Sequence, residues 1–151
     1  MPKDDNALLD LNQFFPYQLS ILAQQVTEFI AQIYEKHGLT RTDWRVLAAV
    51  GFHGEISARD ICKFTRLEKM PVSRAIAKLI RAGSLLQHPG SLDRRTNVLN
   101  LTPEGEKVHQ KIIPLVKAQE ERLLKGLSTQ EREQLKALTV KLSQQLEVAT
   151  K

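Results

Sequence analysis

Asp93, Arg94 and Arg95 stand together in the stretch SLDRRTNVLNLTPEG, Ser91 to Gly105, at a turn between two short runs of β character. Upstream of them, Lys69, Met70, Ser73, Arg74 and Lys78 occupy the start and one face of a helical pattern. Guanidinium and ammonium groups presented this way bind phosphate, and arginine also reads base edges. Bond-making chemistry needs other groups. The chain has no GxGxxG, no GKS or GKT and no HExxH, and its four histidines are scattered. No catalytic residue, metal site or cofactor is expected.

Charge is distributed in the same sense. The net charge is +5. From Arg59 to Arg95 nine cations stand against three anions, whereas the rest of the chain carries 13 cations and 14 anions. A basic centre between nearly neutral arms is the electrostatic footprint of a polyanion binder. Length, at 151 residues, suits a single domain, and 42% hydrophobic with 26% charged residues is an ordinary globular balance. No run approaches an uncharged membrane span, and MPKDDNALLD lacks a signal-type apolar core, so a cytoplasmic protein is expected. The single cysteine, Cys62, has no CxxC partner and reads as a small core residue.

The elements that must position these groups follow from periodicity. Phe15, Leu19, Leu22, Val26, Phe29 or Ile30, and Ile33 step by threes and fours along a long amphipathic helix that Gly38 stops. Thr40 with Asp43 resembles a capping box opening a second helix, Asp43 to about Phe52, and Ser57 with Asp60 opens a short third, Ala58 to about Phe64. A fourth starts near Pro71, buries Val72, Ile76, Leu79 and Ile80, and ends before Gly83. Ser84 to His88 and Thr96 to Leu101 read as a hairpin around Pro89-Gly90. Thr102-Pro103 then opens a long helix closed by Gly126, and Ser128 with Glu131 opens the last, with Leu135, Leu138, Leu142, Leu146 and Ala149 on one stripe. The expected architecture is mainly α with a small β-hairpin. Both terminal regions carry apolar stripes that one central unit can hardly cover, which points to a second copy of the chain.

A short helix, a turn, a basic helix and a hairpin make a winged helix-turn-helix spanning residues 43–101. In such a unit the second helix enters the major groove of double-stranded DNA. Arg74 suits guanine, Ser73 suits several bases, and Lys69 and Lys78 suit phosphates. Arg94 and Arg95 suit a narrow minor groove, with Asp93 holding a neighbouring arginine at the turn. A protein-interaction module or a sequence-indifferent architectural DNA binder would present a similar basic face.

The Thr42 to Leu47 entry, Val72-Ser73-Arg74, and the Asp93-Arg94-Arg95 wing followed by Leu101-Thr102 and Gly105 resemble winged-helix transcription regulators of the MarR (multiple antibiotic resistance regulator) family. The resemblance covers nearly the whole chain. It implies an intertwined homodimer built from residues 13–37 and 103–149, a palindromic operator, Arg95 in the minor groove and Arg94 on phosphate. It also implies repression relieved by a small phenolic or aromatic acid bound between the dimer helices and the DNA lobe. Phe15, Tyr17, His37, Trp44, Arg45 and His53 lie on segments bordering that junction, with Arg45 suited to a carboxylate. One branch of the family senses oxidants through cysteine, but Cys62 has no activating neighbour in sequence.

Overall fold

The structure is a computed structural model that describes residues 8–150. It is mainly helical with one antiparallel hairpin, in the order expected. A 3₁₀ turn, Leu11–Gln13, leads into α1 (Phe15–Tyr34), where Pro16 occupies the first turn and forfeits no intrahelical donor. Gly38 closes the end of this segment with φ +73°, a left-handed conformation that an L side chain resists. Only the C-terminal part of α1 enters the core, through Ala31 and Tyr34, while Phe15, Leu19 and Leu22 stay exposed.

The capping box at Thr40 and Asp43 is present. Asp43 N donates to Thr40 Oγ1 (3.2 Å) and Thr40 N donates to Asp43 Oδ2 (2.9 Å), so α2 (Arg41–His53) starts at Arg41, earlier than the expected Asp43. Next come α3 (Ala58–Thr65), α4 (Lys69–Arg81), β1 (Leu85–Pro89), β2 (Asn97–Leu101), α5 (Pro103–Leu124) and α6 (Thr129–Ala149). The strands pair from Leu85 opposite Leu101 to Pro89 opposite Asn97. Ile56 adds a single-residue bridge to Leu99, its N donating to Leu99 O (3.2 Å) and its O accepting from Leu99 N (2.8 Å). This bridge ties the hairpin to the loop ahead of α3.

The chain forms two compact units, one running to Val116 and one from Lys117 onward. In the first unit Val46, Leu47, Val50, Ile61, Val72, Leu79, Leu85, Leu99 and Ile112 form one buried cluster. Each such side chain contributes about 1.5–3 kcal/mol relative to exposure, so this cluster fixes the relative positions of α2, α3, α4 and the hairpin. Gly105 is required by close approach: a Cβ there would lie 2.0 Å from Ser84 O. That carbonyl also accepts from Thr102 N (3.1 Å), which joins the hairpin end to the start of α5.

In the second unit the capping box at Ser128 and Glu131 opens α6, each backbone N–H donating to the other's side chain at 2.9 and 3.1 Å. Arg132 donates to Leu124 O (3.0 Å) and Leu127 O (3.3 Å) and pairs with Glu121 (2.9 Å), tying the start of α6 to the end of α5 and the turn after it. Leu135, Leu138, Leu142 and Leu146 of α6 are all exposed. Among the described residues no helix is long and apolar enough to cross a membrane.

Candidate nucleic-acid interface

The turn between α3 and α4 is built by local polar bonds. Ser57 Oγ accepts from Asp60 N (3.1 Å) to start α3, and Thr65 Oγ1 donates to Ile61 O (2.6 Å) near its end. Arg66 then adopts φ +57°, the one left-handed residue other than glycine among the described residues, and the chain reverses into α4. α4 begins at Lys69 rather than at Pro71, because Pro71 falls within the first turn, where no backbone donor is yet needed. Val72, Ala75, Ile76 and Leu79 face the core. Lys69, Met70, Ser73, Arg74, Ala77, Lys78 and Arg81 face outward.

Lys78 departs from expectation. Its Nζ lies 2.6 Å from Asp43 Oδ2 and donates to Gly38 O at 3.3 Å, so the ammonium expected on phosphate has internal partners. The Asp43 side chain is only 4% exposed. Burial alone would raise its pKa, but the Lys78 bond and the two bonds with Thr40 outweigh burial and hold the carboxyl below its ordinary value. Asp43 therefore opens α2 and at the same time pins α4 against the start of that helix.

At the hairpin tip, Gly90 N donates to Thr96 O (2.8 Å) and Thr96 N to Asp93 O (3.2 Å). Asp93 Oδ1 accepts from Arg95 N (3.0 Å) and lies 3.6 Å from Arg95 Nε. The carboxylate thus bonds the backbone of the turn and lies beside the guanidinium. Arg95 itself is 96% exposed, and Arg94 beside it is also exposed.

The root of this tip is held by residues that sequence reasoning did not single out. Glu55 Oε1 accepts from Ser91 N (2.9 Å) and Ser91 Oγ (3.0 Å), and these bonds lower the Glu55 pKa. Asn100 Nδ2 donates to Gly54 O (2.7 Å), which turns Asn100 Oδ1 toward His88 Nε2. His88 Nδ1 lies 2.9 Å from Pro89 O. With an acceptor at each ring nitrogen, the doubly protonated imidazolium makes both bonds, and the His88 pKa is raised, chiefly by Asn100 and then by Pro89. These pairs join residues far apart in the chain and leave no periodic signal.

The residues expected around a ligand divide. Trp44 and Arg45, half-buried on α2, line a cleft of about 420 Å³ with Ala48, Phe52, Phe64 and Thr65. They also border a smaller hollow of about 140 Å³ beside Ile30, Tyr34 and Arg41. Trp44 stacks on Tyr34 with ring centroids 6.1 Å apart. His53 stands edge-on to Phe64 (4.5 Å) and Phe52 (5.0 Å), which stack on each other at 6.0 Å. Phe52 and Phe64 are additions: both are largely exposed aromatics at the cleft mouth. Phe15 and Tyr17 line neither cavity, and His37 is tied back to Ile33 O through Nδ1 (3.1 Å).

The MarR family model matches residues 37–96, from the end of the α1 segment to the hairpin tip. Over that segment the chain is similar to the MarR family. YwoH, an HTH-type transcriptional regulator of Bacillus subtilis, is 26% identical over 114 residues, which are 75% of this chain and 82% of YwoH. A MarR/EmrR family transcriptional regulator from Acinetobacter sp. ADP1 is 25% identical in its crystal structure, with a TM-score of 0.82 over 92% of this chain and 99% of that one. BpsR of Bordetella bronchiseptica, whose DNA binding is regulated by 6-hydroxynicotinic acid, is 24% identical, with a TM-score of 0.80 over 90% of this chain and 97% of its own. The MarR winged helix is thus the fold of this chain, with α3 and α4 as its helix-turn-helix and the β1–β2 hairpin as its wing.

Proposed function

We propose that this chain is a MarR-family regulator and a homodimeric, sequence-specific reader of double-stranded DNA. The carrying observation is the exposed Ser73–Arg74 face of α4 in the same compact unit as a wing whose Arg95 is presented by Asp93 and whose root is fastened by Glu55. Met70, Ser73 and Arg74 address the major groove, Lys69 a phosphate, Arg95 the minor groove and Arg94 the backbone. Lys78 acts through Asp43, holding α4 in place. The exposed apolar stripes of α1 and α6 support dimerisation through the terminal helices. Two copies on a palindrome would set their α4 helices roughly 34–36 Å apart, one turn of DNA.

The regulator represses transcription and is released by a small aromatic acid. The cleft beside Trp44, Phe52 and Phe64 accepts an aromatic ring, Arg45 offers a partner for its carboxylate, and the likeness to BpsR, regulated by 6-hydroxynicotinic acid, supports this class of effector. Such a ligand acts by favouring one spacing of the two reading helices. The test is affinity for duplex DNA across a salt series, together with the preference for one sequence over random duplex. A specificity ratio of about 10³ or more supports the reader. Binding that is uniformly weak and salt-sensitive, with no preference, would leave a non-specific or protein-docking surface. For the effector, Arg45→Ala should abolish release by an aromatic acid that acts on the wild type; unchanged release would remove Arg45 from the site.

A further inference from the structure

The outward face of α4 is not uniformly polar. Met70 is 63% exposed and is the one large apolar side chain that this helix turns to solvent. The buried side is already complete without it, since Val72, Ala75, Ile76 and Leu79 form the contact with the core. Met70 shares its stripe with Ser73, Arg74 and Ala77, at steps of three, four and seven, so it stands on the same face as the polar reading groups. Ala77, also exposed, is small enough to let that face approach a groove closely.

We infer that Met70 reads the 5-methyl group of a thymine in the operator half-site. In the major groove thymine is distinguished from the other bases by an apolar methyl, and an apolar side chain is the group that discriminates for it. Methionine suits this contact because its unbranched, polarisable thioether adapts to an irregular apolar surface. The geometry also places the base. Met70 and Arg74 are separated by one helical turn, about 6 Å along the axis at 1.5 Å per residue. That span is close to two base-pair steps of roughly 3.4 Å. The thymine therefore lies within two base pairs of the guanine taken by Arg74. This assignment rests on α4 being the reading helix and names one of the bases it reads.

The test uses the full-length protein and a duplex recovered by selection from random sequence. Thymines are replaced one at a time by deoxyuridine, which removes the methyl and leaves every hydrogen-bonding group in place. Wild type should lose about four-fold in affinity at one position per half-site, the factor for one buried methyl group. Met70→Ala should bind the thymine and uracil duplexes alike at that position, whereas Arg95→Ala should keep the four-fold difference. Because the first perturbation is in the DNA, protein folding does not enter it, and an unchanged melting temperature for Met70→Ala checks the second. Wild type indifferent to every thymine-to-uracil change would overturn the assignment, as would Met70→Ala retaining the full methyl effect. A wild type with no preference for the selected duplex over random DNA would instead remove the reading role of the whole surface, and this assignment with it.

Discussion

Lys78 separates two roles that the sequence alone leaves superimposed, phosphate contact and internal clasp. Asp43 is buried, opens α2 through reciprocal bonds with Thr40, and accepts from Lys78 Nζ at 2.6 Å. Asp43→Ala removes a helix-capping interaction of about 0.5–2 kcal/mol and a charge-assisted hydrogen bond of about 1.5–3 kcal/mol. A combined loss of about 3 kcal/mol corresponds to a fall in Tm of roughly 6–12 °C for a chain of this length. Lys78→Ala leaves the carboxylate bonded to Thr40 N, and water reaches the half-exposed ammonium, so a smaller loss of about 1–2 kcal/mol is expected. Thermal unfolding of both single variants and the double variant, at matched protein concentration, should return a coupling energy of about 1 kcal/mol. Because the folded pKa of Asp43 lies below its unfolded value, this stabilisation is complete above the ordinary carboxylate range and is lost as pH falls through the folded value. The gap between wild type and Asp43→Ala should therefore narrow in acid. On DNA, Lys78→Ala should leave the slope of log affinity against log salt unchanged, whereas Lys69→Ala should reduce it by about 0.9. Unchanged Tm for Lys78→Ala with a slope reduced by about 0.9 would refute the clasp and return Lys78 to the phosphate set.

Three further outcomes are expected. Glu55→Ala frees Ser91 at the wing root, so faster amide exchange at Ser91 and weaker operator binding should appear with little change in Tm; unchanged exchange would count against the anchor. His88 should titrate above the ordinary imidazole value in an NMR experiment, and Asn100→Ala should bring it down. Since the protonated ring makes both bonds, the His88 contribution to wing attachment is full below the ordinary histidine pKa and is lost as pH rises through the raised one. Gly105→Ala drives a methyl to 2.0 Å from the Ser84 carbonyl, and an overpacking loss of about 1–3 kcal/mol should appear in thermal unfolding.

The order of the elements was legible because each carries a local signal. Thr40 with Asp43 and Ser128 with Glu131 are capping boxes three residues apart, and both form as read. The alternation of buried and exposed positions on α4 likewise follows from a period that sequence displays directly. The Asp93–Arg95 contact spans only two residues and was within reach of the same reasoning. What escaped is non-local. Glu55 meets Ser91, Asn100 meets Gly54 and Lys78 meets Asp43 at sequence separations of 35 to 46, so nothing in their immediate neighbourhood announces the pairing. The early start of α4 was hidden for another reason: proline is as acceptable at the third helical position as at the first. Around Trp44, residue type suggested partners that the fold keeps elsewhere, since Phe15 and Tyr17 lie at the exposed beginning of α1 while Phe52 and Phe64 complete the cleft.

The central claim is that α4 and the wing read DNA as one surface, presented twice by a homodimer. Selection from a random duplex pool at near-physiological salt, with wild type and Arg95→Ala side by side, tests it most directly. The account predicts that wild type recovers a palindrome with half-sites one DNA turn apart and that the variant binds it much more weakly. Enrichment of no sequence by wild type, or a palindrome bound equally well without Arg95, would contradict it.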